Sequence, residues 1–130
     1  MRVLTFGTFD VFHLGHLQIL ERAKSFGTEL IVGVSSDNLN LLKKKRLPVY
    51  PQEDRLAIVG ALKCVNGVFL EESLEEKRNY LLHYKASYLV MGDDWSGKFD
   101  EFKDICEVFY LPRTIGVSTT NVITKIKKYE

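Results

Sequence analysis

The residues best suited to chemistry are His13 and His16, which lie in the stretch GTFDVFHLGH that begins at Gly7. This stretch follows an apolar run and precedes an amphipathic one, so we predict a strand-to-helix turn. Histidines three residues apart on a first helical turn face the same way. A helix N-terminus offers unpaired N–H groups and the positive end of the helix dipole, both of which suit phosphate. The pattern therefore predicts a nucleotide cradle with two imidazoles directed at a phosphorus.

The glycines beside the histidines support this interpretation. Gly7 permits a tight backbone turn, and Gly15 removes a side chain where a second group must come close. The alternative is a solvent-facing turn with two incidental histidines. Because two of the three histidines in the chain fall within this one turn, the alternative is the weaker explanation.

Arg113 begins a second candidate phosphate-binding segment, which follows the apolar run Phe109–Leu111. Arginine supplies a permanent charge and a fork of N–H donors. Gly116 permits a turn, and hydroxyl side chains then lie at a predicted helix N-terminus, where backbone N–H groups suit phosphate. These hydroxyl residues are Ser118, Thr119 and Thr120. Alone, the segment is better explained as an ordinary helix cap, but beside the histidine turn and the loop Gly92–Lys98 one shared cleft is the simpler account.

Strand-like and helix-like segments alternate along the chain and must position these residues. The predicted strands are Arg2–Phe6, Glu29–Val34, Gly67–Leu70, Tyr88–Met91 and Glu107–Leu111. Strands that are apolar throughout indicate a parallel sheet covered on both faces. We therefore predict an α/β fold with a single doubly wound parallel sheet, in one domain that spans residues 1–130. Ligands of such sheets bind beyond the carboxyl ends of the strands, where the candidate residues lie.

Capping residues predict where three helices start. Pro51 precedes acidic residues, which is the favoured order for a first helical turn. Ser73 and Glu76 have the spacing of a capping box. Ser118 opens the last helix, whose C-terminal end is basic and so complements the helix dipole.

Composition and charge restrict the partners and the location. The formal net charge of +1 gives no bulk field for binding nucleic acid or a membrane surface. Cys64 and Cys106 match no metal or redox spacing and are flanked by apolar residues, so we expect reduced thiols and a cytoplasmic location. No segment has the pattern of a secretory signal or the apolar length of a membrane span. We therefore expect neither nucleic acid nor a membrane as partner.

Two motifs resemble those of the cytidylyltransferase family. They are Gly7-Thr8-Phe9-Asp10-x-x-His13-x-Gly15-His16 and Arg113-Thr114-x-Gly116-x-Ser118-Thr119-Thr120. The first is shared in part with adenylyltransferases and some aminoacyl-tRNA synthetases, and the second narrows the resemblance. The chain is most similar to the small bacterial glycerol-3-phosphate cytidylyltransferases, nearly end to end. This resemblance implies a homodimer of doubly wound α/β subunits that uses CTP with a divalent cation, usually Mg²⁺, and releases pyrophosphate.

The implied reaction is the attack of a phosphate monoester oxygen on the α-phosphorus of CTP. Since this nucleophile is already ionised, the protein has to position two anions and neutralise developing charge. We expect His13 and His16 to donate hydrogen bonds near the α-phosphate, and Arg113 to hold the β/γ end; with Lys43 they form the predicted catalytic set. The predicted CTP-binding set is Thr8, Phe9, His13, His16, Lys45, Asp94, Arg113, Thr114, Gly116, Ser118, Thr119 and Thr120.

The acceptor residues follow from the same resemblance. It assigns one lysine of the run Lys43–Arg46 to the acceptor and one to CTP. We choose Lys43 and Lys45, although an extra residue in the following segment leaves the register within this run open. Lys77 matches an acceptor-binding lysine of the family, with an ordinary helix-surface lysine as the alternative. Leu74, where the glycerol-3-phosphate enzymes tend to carry tryptophan, completes the predicted acceptor set.

Several alternatives stay open at this point. Asp10 is either a cation ligand or a turn-forming side chain, and in the second case the CTP phosphates hold Mg²⁺. Leu74, together with Lys63 and Asn66, departs from the glycerol-3-phosphate enzymes. The acceptor is therefore glycerol 3-phosphate, a similar phosphorylated alcohol, a phosphorylated aminoalcohol, or a phosphorylated amino-acid amide such as phosphoglutamine. The product would be a CDP-activated headgroup for a cell-surface polymer or polysaccharide. An adenylyltransferase and a non-catalytic CTP-sensing module are weaker alternatives.

Overall fold

The computed structural model describes residues 1–113 and 117–129. Within these residues the strands are β1 (Arg2–Gly7), β2 (Glu29–Ser35), β3 (Gly67–Glu71), β4 (Tyr88–Gly92) and β5 (Glu107–Leu111). The α-helices are α1 (Leu14–Lys24), α2 (Asp37–Lys44), α3 (Gln52–Gly60), α4 (Lys77–His83) and α5 (Thr119–Lys128). Two short 3₁₀ segments, Asp93–Trp95 and Asp100–Asp104, lie between β4 and β5.

The strands form one parallel sheet in the order β3-β2-β1-β4-β5. The order reverses between β1 and β4, which is the point where doubly wound sheets bind ligands. Successive residues of β1 enter different apolar clusters: Val3 packs in one and Leu4 in the other. Both sheet faces are therefore buried, and the predicted α/β fold is confirmed.

The strand predictions are confirmed, with one systematic difference. The first four strands each continue one residue beyond the apolar run, and only β5 has the predicted end. The added residues are Gly7, Ser35, Glu71 and Gly92. Because they are polar or glycine, hydropathy alone stops short of them, although all four lie at the sheet edge that carries the candidate site.

One helix start is wrong. Helix α4 begins at Lys77, with Glu76 at the N-cap position and no side-chain capping bond. The hydroxyl of Ser73 donates to Glu75 Oε2 at 3.2 Å and does not cap α4. Leu74 therefore lies in the loop before α4, not on the helix with Lys77, although its carbonyl accepts from the Lys77 N–H at 3.3 Å.

The other two predicted caps are confirmed. Pro51 is the N-cap of α3, and Ser118 is the N-cap of α5, where its hydroxyl accepts from the N–H of Asn121. Across the described residues, no helix combines the length and the apolar character needed to cross a bilayer.

Candidate active site

Three adjoining cavities lie beyond the carboxyl end of β1. We call them the central cavity (about 360 Å³, at the histidine turn), the lysine cavity (about 250 Å³, at Lys43 and Lys77) and the side cavity (about 210 Å³, at Arg46). Thr8 lines all three, so they form one cleft. The central cavity falls within the usual volume range of small-molecule sites, roughly 300–1,000 Å³.

The structure sorts the two predicted sets of residues into two of these cavities. The central cavity is lined by the predicted CTP-binding residues Thr8, Phe9, His13, His16, Asp94, Arg113, Ser118, Thr119 and Thr120. The lysine cavity is lined by all three predicted acceptor residues, Lys43, Leu74 and Lys77. Thr114 and Gly116 lie outside the described residues. Residues that the sequence places far apart thus meet in one cleft.

His13 and His16 cap the N-terminus of α1 reciprocally. His13 Nδ1 accepts from the N–H of Gly15 at 3.1 Å, and His16 Nδ1 accepts from the N–H of His13 at 3.3 Å. An Nδ1 atom that accepts a hydrogen bond carries no proton, so in each neutral ring the proton is on Nε2. The capping bonds thereby assign both tautomers and leave two Nε2–H donors at the wall of the central cavity.

The histidines are held in their neutral forms. Burial, and after it the neighbouring His13, lowers the pKa of His16 to about 4, although Asp10 acts in the opposite direction. Burial also lowers the pKa of His13. Near neutral pH both rings therefore act as hydrogen-bond donors and not as cations.

The turn between β1 and α1 has an unusual backbone. Phe9 and Val11 have φ angles of 55° and 46°, in the left-handed region that is costly for a β-branched residue such as valine. Gly7 does not have a positive φ angle, so it is not needed for a left-handed turn. A Cβ at this position would instead lie 2.9 Å from the ring of Phe9. A Cβ on Gly15 would likewise lie 2.9 Å from the His13 ring. Both glycines therefore make room for the motif's own rings.

Asp10 holds this turn through backbone contacts. Its Oδ1 accepts from the N–H groups of Val11 and Tyr50, and its Oδ2 accepts from the N–H of Val49 at 2.7 Å. These bonds join the histidine turn to the segment before α3, as a turn-forming side chain would. In the part of the chain that the structure describes, no three His, Cys, Asp or Glu side chains converge on a possible metal position. Mg²⁺ commonly needs only one or two carboxylates beside substrate phosphates, so Asp10 as a cation ligand stays a prediction.

Arg55 is an anchor that the sequence analysis did not identify. Its side chain is fully buried, and Nη1 donates to the carbonyls of Thr8 and Ser35 at 2.9 and 2.7 Å. Nε donates to the carbonyl of Tyr50, and Nη2 pairs with Asp37 Oδ1 at 2.7 Å. One guanidinium thus fixes the ends of β1 and β2 relative to each other. In the sequence, a lone arginine on an amphipathic helix resembles a surface residue. The sequence therefore gives no signal that Arg55 is a buried anchor.

Arg113 faces Asp94 at the central cavity, with Nη2 3.0 Å from Oδ2. Both side chains are substantially exposed, and exposed ion pairs contribute little stability. The guanidinium can therefore exchange the carboxylate for a phosphate at low cost. Asp94 also lines the lysine cavity, so it stands where the two cavities meet.

The N-terminus of α5 closes the other side of the central cavity. Thr119 Oγ1 lies 3.3 Å from His13 Nε2 and donates to the carbonyl of Asp10 at 3.1 Å. Since the capping bond leaves the proton on Nε2, His13 is the donor in its contact with Thr119. The helix terminus and the histidine turn are therefore in direct contact, and the positive dipole end of α5 suits an anion.

The lysine cavity is built around a buried ion pair. Lys77 Nζ lies 2.8 Å from Glu71 Oε2, with both side chains almost completely buried. Burial lowers the pKa of Lys77, and the Glu71 carboxylate opposes that change. The alternative of a helix-surface lysine is therefore wrong for Lys77. Leu74 is 41% exposed at the mouth of this cavity.

The basic run after α2 is split among the cavities. Lys43 lines the lysine cavity, Lys44 lines the lysine and side cavities, and Arg46 lines the side cavity. Lys45 is the C-cap of α2 with a φ angle of 59°, is exposed, and lines none of the three. The sequence analysis did not select Lys44, because the sequence alone cannot set the register of this run. The assignment of Lys45 to CTP stays a prediction.

Comparisons with known proteins agree with this geometry. The sequence profile of a family described as Cytidylyltransferase-like matches residues 4–125. The chain is 45% identical to the glycerol-3-phosphate cytidylyltransferase of Bacillus subtilis (strain 168), over 96% of both chains. It is 40% identical to the enzyme of that name from Staphylococcus aureus (strain NCTC 8325 / PS 47), over 93% of this chain and 91% of the relative.

A solved structure matches the fold. The lipopolysaccharide core biosynthesis protein of Thermoplasma volcanium GSS1 superimposes with a TM-score of 0.75 at 25% identity, over 88% of this chain and 98% of that protein. The chain is also similar to part of the bifunctional protein HldE of Aliarcobacter butzleri (strain RM4018), at 36% identity over 98% of this chain and 27% of the relative.

Proposed function

Since this chain belongs to the cytidylyltransferase-like family, we propose that it transfers CMP from CTP to glycerol 3-phosphate and releases pyrophosphate. The observation that carries the proposal is the division of the cleft into a central cavity with the histidine turn and Arg113, and an adjoining cavity with Lys43 and Lys77. Two anionic substrates that react with each other need two such neighbouring sites. The chain is accordingly a CTP-dependent cytidylyltransferase.

In the proposed reaction, a phosphate oxygen of the acceptor attacks the α-phosphorus of CTP in line. A new P–O bond forms, the bond from the α-phosphorus to the bridging oxygen breaks, and that oxygen leaves with pyrophosphate. The Nε2–H donors of His13 and His16 face the charge that builds on the α-phosphoryl and leaving oxygens. Donors that are already fixed in position need no reorganisation during the reaction. This preorganisation is the main source of electrostatic catalysis.

Cations make the approach of the two anions possible. Arg113 and the N-terminus of α5 serve the triphosphate from one side, and Lys43 and Lys77 serve the acceptor phosphate from the other. Positioning and charge neutralisation account for most of the catalysis in phosphoryl-transfer reactions of this kind. No protein nucleophile takes part in the proposed reaction.

The proposal also includes a divalent cation, an oligomeric state and a cellular role. Because the Asp10 carboxylate is engaged by backbone donors, we propose that Mg²⁺ enters with CTP, held mainly by the phosphates, where it neutralises phosphate charge. The family resemblance supports a homodimer in the cytoplasm. It also supports a role in supplying CDP-glycerol for a teichoic-acid-like or capsular polymer.

Leu74 is the reason to test other acceptors beside glycerol 3-phosphate. Its apolar side chain at the mouth of the lysine cavity cannot hydrogen-bond glycerol hydroxyls. The experiment is CTP-dependent pyrophosphate release with glycerol 3-phosphate, a phosphorylated aminoalcohol and a phosphorylated amino-acid amide at equal concentrations. The highest kcat/KM with glycerol 3-phosphate supports the proposal, and a clear preference for either other compound transfers the same chemistry to that acceptor.

A further inference from the structure

We propose that Glu71 is a positioning residue for acceptor binding, which holds the Lys77 ammonium in place and directs it to the acceptor phosphate. This inference rests on the proposed function, because it places that phosphate in the lysine cavity. Neither the sequence motifs nor the family resemblance pointed to Glu71. The inference is carried by its contacts at the floor of that cavity.

Glu71 is held from several sides. It is the last residue of β3, and its carbonyl accepts from the N–H of Ser36 at 2.9 Å. Its Oε1 accepts from the hydroxyl of Ser35 at 3.3 Å, and its Oε2 lies 2.8 Å from Lys77 Nζ. The carboxylate is therefore fixed to the sheet, while Lys77 comes from the start of α4.

The position of the ammonium is set by one carboxylate and two aromatic rings. Lys77 Nζ lies 2.8 Å from Glu71 Oε2, and 3.7 and 4.9 Å from the ring centroids of Phe6 and Phe99. An ammonium has three N–H donors. Among the described residues, Glu71 is the hydrogen-bond acceptor that Lys77 Nζ contacts, so donors remain for a ligand in the lysine cavity. A phosphate is the ligand that suits a desolvated ammonium with donors to share.

Glu71 also offsets the repulsion among the lysines. The charged side chains that line the cavity are Lys43 and Lys44 from α2, Glu71 from β3, Lys77 from α4, and Asp94 after β4. Burial lowers the pKa of Lys43, the Glu71 carboxylate opposes this, and Lys44 and Lys77 lower it further. Asp94 is engaged by Arg113 at 3.0 Å, whereas Glu71 is in contact with Lys77. The Glu71 carboxylate therefore favours the protonated, charged forms of Lys43 and Lys77.

The competing explanation is that the ion pair only joins β3 to α4. A buried ion pair often contributes little net stability, and its replacement by two uncharged side chains is often neutral. A purely structural pair would change unfolding and all kinetic parameters together. If Glu71 positions Lys77, loss of the Glu71 carboxylate would change the acceptor KM and the pH dependence of that KM. It would do so only in a protein that still carries Lys77.

The experiment compares Glu71→Gln with Glu72→Gln, its exposed neighbour, and with Lys77→Met and the double variant. We expect Glu71→Gln to raise the KM for glycerol 3-phosphate by about tenfold, the size of one lost charge-assisted hydrogen bond, with kcat and the KM for CTP nearly unchanged. Without the carboxylate, Lys77 loses its proton at a lower pH, so the alkaline rise in acceptor KM should move to lower pH. In the Lys77→Met background, Glu71→Gln should have no further effect.

A spectroscopic measurement separates this inference from the proposed function. Titration of the Lys77 side chain by NMR in the ligand-free protein should give a lower pKa in Glu71→Gln than in wild type or Glu72→Gln. An unchanged Lys77 titration, or an equal rise in acceptor KM in the Lys77→Met background, would overturn the inference. If wild type turned over no acceptor, the proposed function would fail, and the titration would still show whether Glu71 stabilises the charged form of Lys77. Should Glu71→Gln not fold, Glu71→Asp replaces it, with smaller changes in the same directions.

Discussion

The imidazole rings of His13 and His16 are stacked, with their centroids 3.8 Å apart and an interplanar angle of 21°. Both rings direct Nδ1 to backbone N–H groups of the same helical turn. Their Nε2–H donors therefore point away from the helix backbone on the same side. The helix cap and the proposed catalytic donors are thus the same two side chains, so the fold of the turn would orient these donors toward a substrate.

His16→Asn separates the two roles of this side chain. The asparagine side-chain oxygen can replace Nδ1 as acceptor for the His13 N–H, while the Nε2–H donor is lost. We expect kcat to fall by at least about a hundredfold, as for the loss of one preorganised donor, with a much smaller change in CTP affinity. His16→Ala serves as the comparison, because it loses the cap as well. Near-wild-type turnover in His16→Asn would remove His16 from the mechanism.

The lowered pKa of His16 predicts how stability depends on pH. The ordinary value is 6.5 and the folded value is about 4, so between these the unfolded chain binds more protons than the folded one. Stability should therefore fall as the pH is lowered through this range, and be unaffected by His16 above it. The measurement is the thermal midpoint as a function of pH, compared between wild type and His16→Asn. An equal acid loss in both proteins would show that other groups cause it.

Arg113→Lys should lose most of the catalytic efficiency without loss of stability. Lysine keeps the charge but lacks the planar pair of donors that matches a phosphate. The exposed ion pair with Asp94 contributes little to folding. Arg78→Lys, in another exposed ion pair with Asp104, is the matched control and should keep full activity. A lowered thermal midpoint in Arg113→Lys would instead indicate a structural role.

Leu74→Trp tests which headgroup the lysine cavity admits. An indole at this partly exposed position narrows the mouth of the cavity and adds an N–H donor. We expect kcat/KM for glycerol 3-phosphate, relative to the bulkier acceptors, to rise by about tenfold, a typical effect of one pocket side chain. Leu82→Trp, at an exposed leucine of α4 that does not line the cavity, is the control. Unchanged relative efficiencies would place the headgroup elsewhere.

The sequence predicts the elements of this fold better than the charged residues buried among them. The apolar strands and the histidine turn are local patterns, and both could be predicted. Arg55 and Glu71 could not, because their burial depends on which strands become neighbours. The capping box at Ser73 failed because α4 begins only at Lys77, with Glu76 and not Ser73 at its N-cap position. A functional charged side chain can be recognised from sequence only when it belongs to a motif, and Arg55 and Glu71 belong to none.

The most direct test of the central claim is product analysis after CTP and glycerol 3-phosphate are mixed with the protein and Mg²⁺. The account predicts CDP-glycerol and pyrophosphate in equal amounts, observed by ³¹P NMR, with pyrophosphate release strictly dependent on the acceptor. It also predicts that ATP is a much poorer donor and that His16→Asn greatly slows both products. Preferred use of ATP, or nucleotide binding without any acceptor-dependent pyrophosphate release, would contradict it.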